Sequence, residues 1–177
     1  VDPGDNAAFI ERGTESLGIT PVAILLTHAH YDHISALPEI KAKYQVPVYI
    51  HEADVPMLGD RRLNMGNVEM KPAADDVILH GGEELEIAGH KIRVIHTPGH
   101  TPGGVCYYFP DDSVLMSGDT LFRFSWGRTD FPGGDENALM SAIHNKLFAL
   151  PEDTIVFPGH EGATRIGDER RMHGYTE

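Results

Sequence analysis

The chain has 177 residues, enough for a substantial hydrophobic core, and we expect one domain over residues 1–177. Its 27 acidic and 14 basic residues give a formal net charge of −13, which disfavours a nucleic-acid partner because the chain repels phosphate. Its apolar residues form no run near the roughly 18 residues of a membrane span, so we expect no membrane partner either.

The chain contains one cysteine, Cys106, and therefore no intrachain disulfide. This is typical of a reducing compartment, so we expect a cytoplasmic protein. Because Cys106 lies in the strand-like apolar segment 105–109, we predict a small buried side chain rather than a nucleophile. The oligomeric state stays open.

The first predicted element is a helix capped by Asp5 and ended by Gly18. Its apolar residues are predicted to form the buried side: Phe9, Ile10 and Leu17. The apolar run 21–26 then predicts a strand that is covered on both faces.

A second helix follows, because Ile34, Leu37, Ile40 and Tyr44 recur at helical spacing. Residues 46–50 predict another strand. Residues 59–75 show little periodicity, which indicates a long surface loop.

The second half of the chain is richer in predicted strands. Turn residues bound four of them, at 85–87, 91–96, 104–109 and 113–117. A helix capped by Asp135 places Leu139, Ile143 and Leu147 on one stripe, and a last strand covers 154–157. Strands with interspersed helices favour an α+β fold in which helices cover sheets.

The segment Thr27–His33 concentrates the residues that bind metal ions in proteins. It contains three histidines and one aspartate, and imidazole and carboxylate are ligands that suit zinc, iron and manganese. An extended backbone points His28 and His30 to the same side, while Asp32 and His33 turn away into the next helix. The spacing therefore predicts ligands for two adjacent metals.

Three later segments repeat one pattern, in which a strand ends and a glycine precedes a ligand-type residue. They supply His100, Asp119 and His160. Glycine at these positions is typical of a tight loop that directs the next side chain.

The combination His-x-His-x-Asp-His, Gly-His, Gly-Asp and Gly-His resembles the metallo-β-lactamase superfamily. Segments 97–104, 117–122 and 127–134 are similar to its glyoxalase II-like branch of hydroxyacylglutathione hydrolase-like single-domain hydrolases. The resemblance implies an αββα sandwich with the metals at one edge between two sheets. It also indicates that the strands that precede Asp2-Pro3-Gly4 in the family are missing from this chain.

The resemblance further implies how the ligands are shared. One metal is expected on His28, His30 and His100. The other is expected on Asp32, His33 and His160, with Asp119 bridging the two. Two divalent metal ions are implied, with zinc as our first expectation and iron or manganese as alternatives. Asp2 would support the site from outside the ligand set or serve only as a turn residue.

The family chemistry implied for this chain is hydrolysis of a small acyl thioester such as S-lactoylglutathione. A hydroxide shared by two metals would attack the acyl carbon, and Asp32 would orient it and take up a proton. Arg128, Phe124 and Trp126 are the expected substrate contacts. The alternatives are that Arg128 braces the chain by pairing with Asp130 and that the two aromatic rings simply pack.

Other chemistries share this fold. A persulfide dioxygenase would use a single iron and oxygen. A lactone or β-lactam hydrolase would use the same metal ions to open the ring of a lactone or a β-lactam. A metal-binding fold without catalysis is a further alternative. All seven ligand positions are present, which favours a dinuclear hydrolase.

Overall fold

The computed structural model describes residues 1–174, which divide into two compact units. The N-terminal unit is Val1–Leu79 and the C-terminal unit begins at His80. Both combine helices with strands, in agreement with the α+β class predicted above. The last three residues of the predicted single domain, 175–177, lie outside the described part of the chain, and the domain prediction remains a prediction.

The N-terminal unit contains one small parallel sheet of order β1-β2-β3. Its elements in chain order are α1 Ala7–Leu17, β1 Ile24–Leu25, α2 Tyr31–Ile34, α3 Leu37–Tyr44, β2 Val48–His51, a 3-10 turn Glu52–Asp54, α4 Val55–Gly59, α5 Arg61–Asn64 and β3 Val77–Leu79. The strand predicted at 21–26 is thus shorter than its apolar run.

Helix α1 begins one residue later than predicted. The side chain of Asn6, not of Asp5, accepts a hydrogen bond from the backbone N–H of Phe9 at 3.0 Å. Gly18 ends the helix in the left-handed conformation, as predicted, with φ of 64°.

The predicted buried side of α1 is wrong for two of its three residues. Phe9 is 67% exposed and Leu17 is 73% exposed. The buried side instead follows Ala7, Ile10 and Thr14, whose spacing of three and four residues fits one helical face. The prediction left out Thr14 because its side chain is polar. Its hydroxyl forms a hydrogen bond with the hydroxyl of Tyr44 at 2.7 Å, which allows Thr14 to lie on the inner side of the helix.

The prediction of an unstructured loop over 59–75 is also wrong in part. Asp60 caps α5 by accepting from the N–H of Arg62. The last residue of that helix, Asn64, is fully buried, and its amide donates to the carbonyls of Met57 and Val68. Those bonds fold the segment back on itself, which hydrophobic periodicity cannot detect.

The C-terminal unit contains a six-stranded sheet of order β11-β10-β7-β6-β5-β4 and a two-stranded hairpin. Its elements are β4 Glu84–Ile87, β5 His90–His96, β6 Val105–Phe109, β7 Val114–Gly118, β8 Leu121–Phe122, β9 Ser125–Trp126, α6 Glu136–Ala142, a π-helical turn Ile143–Leu147, β10 Ile155–Pro158, β11 Thr164–Arg165 and α7 Ile166–Met172. The four strands and the last strand predicted here are confirmed.

The core of this unit uses the predicted helical stripe. Asp135 caps α6 by accepting from the N–H of Ala138. Leu139, Ile143 and Leu147 are each fully buried. Burying such side chains stabilises the fold by roughly 1.5–3 kcal/mol each.

Strand direction brings three loops to one edge of the large sheet. β7 and β10 are parallel neighbours, whereas β6 is antiparallel to both β5 and β7. β5, β7 and β10 therefore run the same way, so the segments that follow them leave the sheet at the same edge. No helix within residues 1–174 has both the length and the apolar composition that crossing a membrane requires.

Candidate metal centre

The N-terminal unit gathers its four predicted ligands between β1 and α2. His28, His30 and His33 are buried, and Asp32 is 36% exposed. The rings of His28 and His33 have centroids 4.0 Å apart, and those of His28 and His30 are 4.9 Å apart. The structure thus brings the rings of these three histidines together within this unit, and the assignment of the four residues to two metals remains a prediction.

Asp2 organises that cluster through three hydrogen bonds. Its carboxylate accepts from the backbone N–H of Thr27 at 2.7 Å and from the Thr27 hydroxyl at 2.6 Å. It also bonds Nδ1 of His33 at 3.0 Å. The sequence left Asp2 open between a supporting role and a turn, and the structure gives it the supporting contacts.

These contacts fix which ring nitrogen each histidine offers to a cation. A carboxylate only accepts, so Nδ1 of His33 donates to Asp2 and its lone pair lies on Nε2. The proton of the Thr27 hydroxyl is directed to Asp2, so its oxygen accepts from Nδ1 of His28 at 3.1 Å. In both rings the neutral tautomer therefore presents Nε2 as the ligand atom.

Close backbone packing holds the other side of this segment. A Cβ built on Gly4 would stand 2.0 Å from the carbonyl oxygen of Asp32. Only glycine permits that approach. The Asp-Pro-Gly turn therefore supports Asp32 and His33 from both ends, through Gly4 and Asp2.

The C-terminal unit gathers its three predicted ligands at the sheet edge described above. One carboxylate oxygen of Asp119, Oδ2, lies 3.5 Å from Nε2 of His100 and 3.5 Å from Nε2 of His160. His100 is buried and Asp119 nearly so, whereas His160 is 50% exposed. The structure thus brings these three residues together, as predicted.

Backbone contacts position all three side chains. The carbonyl of Arg128 accepts from Nδ1 of His100 at 2.7 Å, which leaves Nε2 as its ligand atom. The N–H of Gly159 donates to the carbonyl of Gly118 at 2.9 Å and ties the His160 loop to the Asp119 loop. The role of the Arg128 backbone carbonyl is not visible in the sequence, because any residue type supplies one.

Glycines behave as predicted in two of the three loops. Gly99 and Gly118 have φ of 137° and 49°, in the left-handed region that favours glycine. Gly127 was not singled out by the sequence but is equally constrained. A Cβ there would stand 1.9 Å from the carbonyl oxygen of Asp119 and 3.3 Å from Nδ1 of His100.

The donor chemistry and spacing in each unit fit divalent metal ions. Two ligand atoms about 2.0–2.1 Å from a tetrahedral cation lie roughly 3.3 Å apart. The two distances of 3.5 Å around Asp119 match that spacing closely. The separation of 4.0 Å between Asp32 Oδ2 and His33 Nε2 is longer but close to it.

The predicted substrate contacts lie on the C-terminal unit. Phe124 and Trp126 are 52% and 40% exposed. Arg128 pairs with Asp130 through two hydrogen bonds of 2.6 Å, so the brace considered above is present. The guanidinium group also lowers the pKa of Asp130 to about 2.

The model of the metallo-β-lactamase superfamily matches residues 1–160 of this chain. The probable metallo-hydrolase YqgX of Bacillus subtilis is 41% identical over 178 residues, 98% of this chain and 84% of that protein. The hydroxyacylglutathione hydrolase GloC of Haemophilus influenzae is 33% identical, over 99% of this chain and 85% of that protein.

Two solved structures share the fold. The BLEG-1 B3 metallo-β-lactamase matches 96% of this chain and 84% of its own, with a TM-score of 0.91 and 42% identity. TTHA1623 in a di-iron-bound form matches 97% of this chain and 85% of its own, with a TM-score of 0.85 and 38% identity. The fold and family expected from the ligand motifs are thus confirmed, and the chain belongs to the metallo-β-lactamase superfamily as a metallo-hydrolase.

Proposed function

We propose that the protein hydrolyses small acyl thioesters of the hydroxyacylglutathione type with two divalent metal ions. The observation that carries this proposal is the 33% identity to GloC, a hydroxyacylglutathione hydrolase, over 99% of the chain. The complete set of seven ligand-type residues supports it. The substrate is accordingly a small molecule.

The proposed ligand sharing follows the superfamily pattern. His28, His30 and His100 would hold one cation. Asp32, His33 and His160 would hold the other, with Asp119 shared between them. His28, His33 and His100 each carry the ring proton on Nδ1 and present the lone pair of Nε2, which supports these assignments.

Five imidazoles and two carboxylates suit zinc best among common divalent ions, and iron or manganese also fit. The relative TTHA1623 has been crystallised in a di-iron-bound form, which makes iron the first alternative. When bound, two such cations lower the pKa of a bound water to about 7 and polarise an acyl carbonyl.

The chain's own residues would handle the proton. Asp32 is the most exposed carboxylate among the proposed ligands, at 36%, so its second oxygen can orient a water and accept its proton. Cys106 is excluded as a nucleophile because it is fully buried and burial raises its pKa to about 11. This supports direct attack by water rather than a covalent intermediate.

Substrate binding is proposed on the exposed residues that follow Asp119. Phe124 and Trp126 offer apolar surface to an acyl group. Arg128 would meet a substrate carboxylate by exchanging its partner Asp130, since both side chains are exposed. Phe124 and Trp126 are accessible without that exchange.

The second candidate function is hydrolysis of a β-lactam ring. The 42% identity and TM-score of 0.91 to BLEG-1, a B3 metallo-β-lactamase, favour it. The chemistry is closely related, because water attacks a strained amide carbonyl instead of a thioester. The relative rates on the two substrates decide between the candidates.

Metal-free protein loaded with Zn²⁺, Fe²⁺ or Mn²⁺ would be assayed with S-lactoylglutathione, benzylpenicillin and a simple lactone. We expect the highest kcat/KM for the thioester. Asp32→Asn should lower it by about 10²–10⁴-fold, while Asp153→Asn, a matched change of an exposed aspartate, should leave it unchanged.

Faster turnover of benzylpenicillin than of the thioester would replace the first candidate by the second. Oxygen consumption with glutathione persulfide by the iron-loaded protein, without thioester hydrolysis, would contradict both candidates and indicate a persulfide dioxygenase.

A further inference from the structure

A cavity of the C-terminal unit lies where the chain enters β4 and leaves β5. Its volume is about 430 Å³, and it is lined by the end of β5, residues 93–96, together with His80, Gly81, Gly82 and Lys146. Four of its side chains carry or can take up positive charge: His80, Arg93, His96 and Lys146. Among the described residues, those that line the cavity include no acidic side chain. Such a composition is unexpected in a chain with 27 acidic and 14 basic residues.

Close packing fixes the shape of this cavity. Gly81 has a left-handed φ of 90°, and a Cβ built on it would stand 2.6 Å from the Cβ of His96, so only glycine fits there. The His96 ring is held in turn, because its Nε2 donates to the carbonyl of Pro102 at 3.0 Å. The cavity is therefore preformed rather than dependent on a loop that must first be ordered.

Two cations are positioned in the cavity by contacts that leave their charge available. Lys146 lies on the π-helical turn, a rare conformation that recurs at functional sites, and its Nζ donates to the backbone carbonyl of His96 at 2.6 Å. An ammonium group has three N–H donors, so two remain for a ligand. The guanidinium group of Arg93 lies over the ring of Tyr108, 5.3 Å from its centroid. Within residues 1–174, neither cation forms an ion pair.

Two acidic residues are near in the chain but do not neutralise these cations. The carboxylate of Glu83 accepts from the backbone N–H groups of His80 at 2.6 Å and Gly81 at 3.0 Å, and it attracts the ring of His80. Glu84 is opposite Arg93 in the register of β4 and β5, but the described side chains form no ion pair there. Like charges that share one cavity repel each other, and a cavity lined by one sign of charge concentrates counter-ions.

We propose that this cavity binds a phosphate group, either as inorganic phosphate or as the phosphate monoester of a small molecule. A phosphate group carries a charge of about −1.5 to −2 at pH 7, which matches the two cations. Arg93 can form two parallel hydrogen bonds to its oxygens, and Lys146 supplies a further cationic donor. The cavity is large enough, since small-molecule sites in proteins span roughly 300–1,000 Å³. The inference does not rest on the proposed thioester hydrolysis.

The first test is calorimetric titration of metal-free protein with inorganic phosphate at fixed ionic strength, so that phosphate has no metal ion to bind. Wild type should bind it with a Kd of about 1 mM or tighter. Lys146→Gln keeps an N–H donor for the carbonyl of His96 but removes the charge, and Arg93→Gln removes the second charge. Each should weaken binding about tenfold or more while thermal unfolding stays cooperative.

Two further variants separate charge from general effects of substitution. Lys146→Arg keeps the positive charge and should stay within about threefold of the wild-type Kd. Lys91→Gln removes an exposed cation of the same strand that does not line the cavity, and it should leave the Kd unchanged. On zinc-loaded protein, the same two glutamine variants should lose the same component of phosphate binding.

Glycerol 3-phosphate and acetate then define the ligand class. Binding of glycerol 3-phosphate at least as tightly as inorganic phosphate would assign the cavity to a phosphate monoester, and tighter binding of inorganic phosphate would assign it to the free ion. Acetate binding as tight as phosphate binding would overturn the phosphate assignment. No measurable binding of either phosphate probe, or binding that Lys146→Gln and Arg93→Gln both leave unchanged, would overturn the site itself.

Discussion

The two units place their ligand residues in different ways. The N-terminal unit carries four of them on one continuous segment, Thr27–His33, and a single side chain, Asp2, braces it. The C-terminal unit takes one residue from each of three loops, and backbone carbonyls and glycines hold them. A continuous segment needs few supports because the chain already links its ligands, whereas separate loops must each be fixed.

This difference predicts different sensitivities. The N-terminal cluster should respond to a change in its supporting side chain, Asp2, as well as to crowding at Gly4, whereas the supports of the C-terminal cluster should respond mainly to backbone crowding. Four substitutions test that contrast, beginning with the ligand that we propose to be shared by both metals.

Asp119→Ala should have the largest effect. It removes the oxygen that lies 3.5 Å from Nε2 of both His100 and His160. Because each metal supplies several kcal/mol of transition-state stabilisation, we expect kcat/KM to fall by about 10³-fold or more. Elemental analysis should show that bound metal is lost as well. Full activity with full metal content would contradict the assignment of Asp119.

Gly127→Ala should have the next largest effect, although it adds a single methyl group. The new Cβ would stand 1.9 Å from the carbonyl oxygen of Asp119, so the loop must shift, at a cost of about 1–3 kcal/mol. Thermal unfolding and zinc affinity would both be measured.

The control for that prediction is Gly13→Ala, in the middle of α1, where a Cβ meets nothing within 4 Å. This change should raise the free energy of unfolding by about 0.4–1 kcal/mol. Equal effects of the two substitutions would show that crowding at Asp119 is unimportant.

Asp2→Asn tests the brace of the N-terminal cluster. The amide nitrogen donates where the carboxylate accepts, so it conflicts either with Nδ1 of His33 or with a donor of Thr27. We expect zinc affinity to fall about 10–100-fold with the fold intact. Competition with a zinc indicator measures this, and unchanged affinity would return Asp2 to a plain turn role.

Arg128→Ala should have the smallest effect on stability and on metal binding. Its ion pair with Asp130 is exposed, and the contact to His100 comes from the backbone carbonyl, which alanine retains. The pair lowers the pKa of Asp130 from 3.8 to about 2. Any contribution of the pair to the free energy of unfolding is therefore present above pH 3.8 and is lost as the pH falls towards 2. Thermal unfolding at pH 7 should therefore barely change, while a marked loss of zinc would place the side chain in the metal site.

The same contrast explains which features the sequence could predict. The ligands in Thr27–His33 can be recognised from the sequence because they are contiguous. The buried stripe of α6 can be recognised because its residues, Leu139, Ile143 and Leu147, repeat at helical spacing. Family motifs were needed to join His100, Asp119 and His160, since only strand direction brings them to one edge. The error on α1 arose because Thr14 lies on the half-buried side of the helix through a hydrogen bond that its residue type does not indicate.

Supporting residues were the hardest to predict. Glu169 stands among the charged residues 168–171, where a sequence indicates a solvated helix face, yet it is fully buried. In the sequence, Gly127 cannot be distinguished from any other turn glycine. Only the structure shows that the carbonyl oxygen of Asp119 leaves no room for a Cβ at this position. Neither residue binds a ligand, so no pattern of donor types marks it.

The most direct test of the account is the number of zinc ions that wild-type protein binds. Metal-free protein would be dialysed against excess Zn²⁺, freed of unbound metal and measured by elemental analysis. Two zinc ions per chain are predicted, because both ligand sets and their shared aspartate are needed to account for all seven residues. One ion per chain, or none, would contradict the dinuclear centre on which the proposed hydrolysis depends.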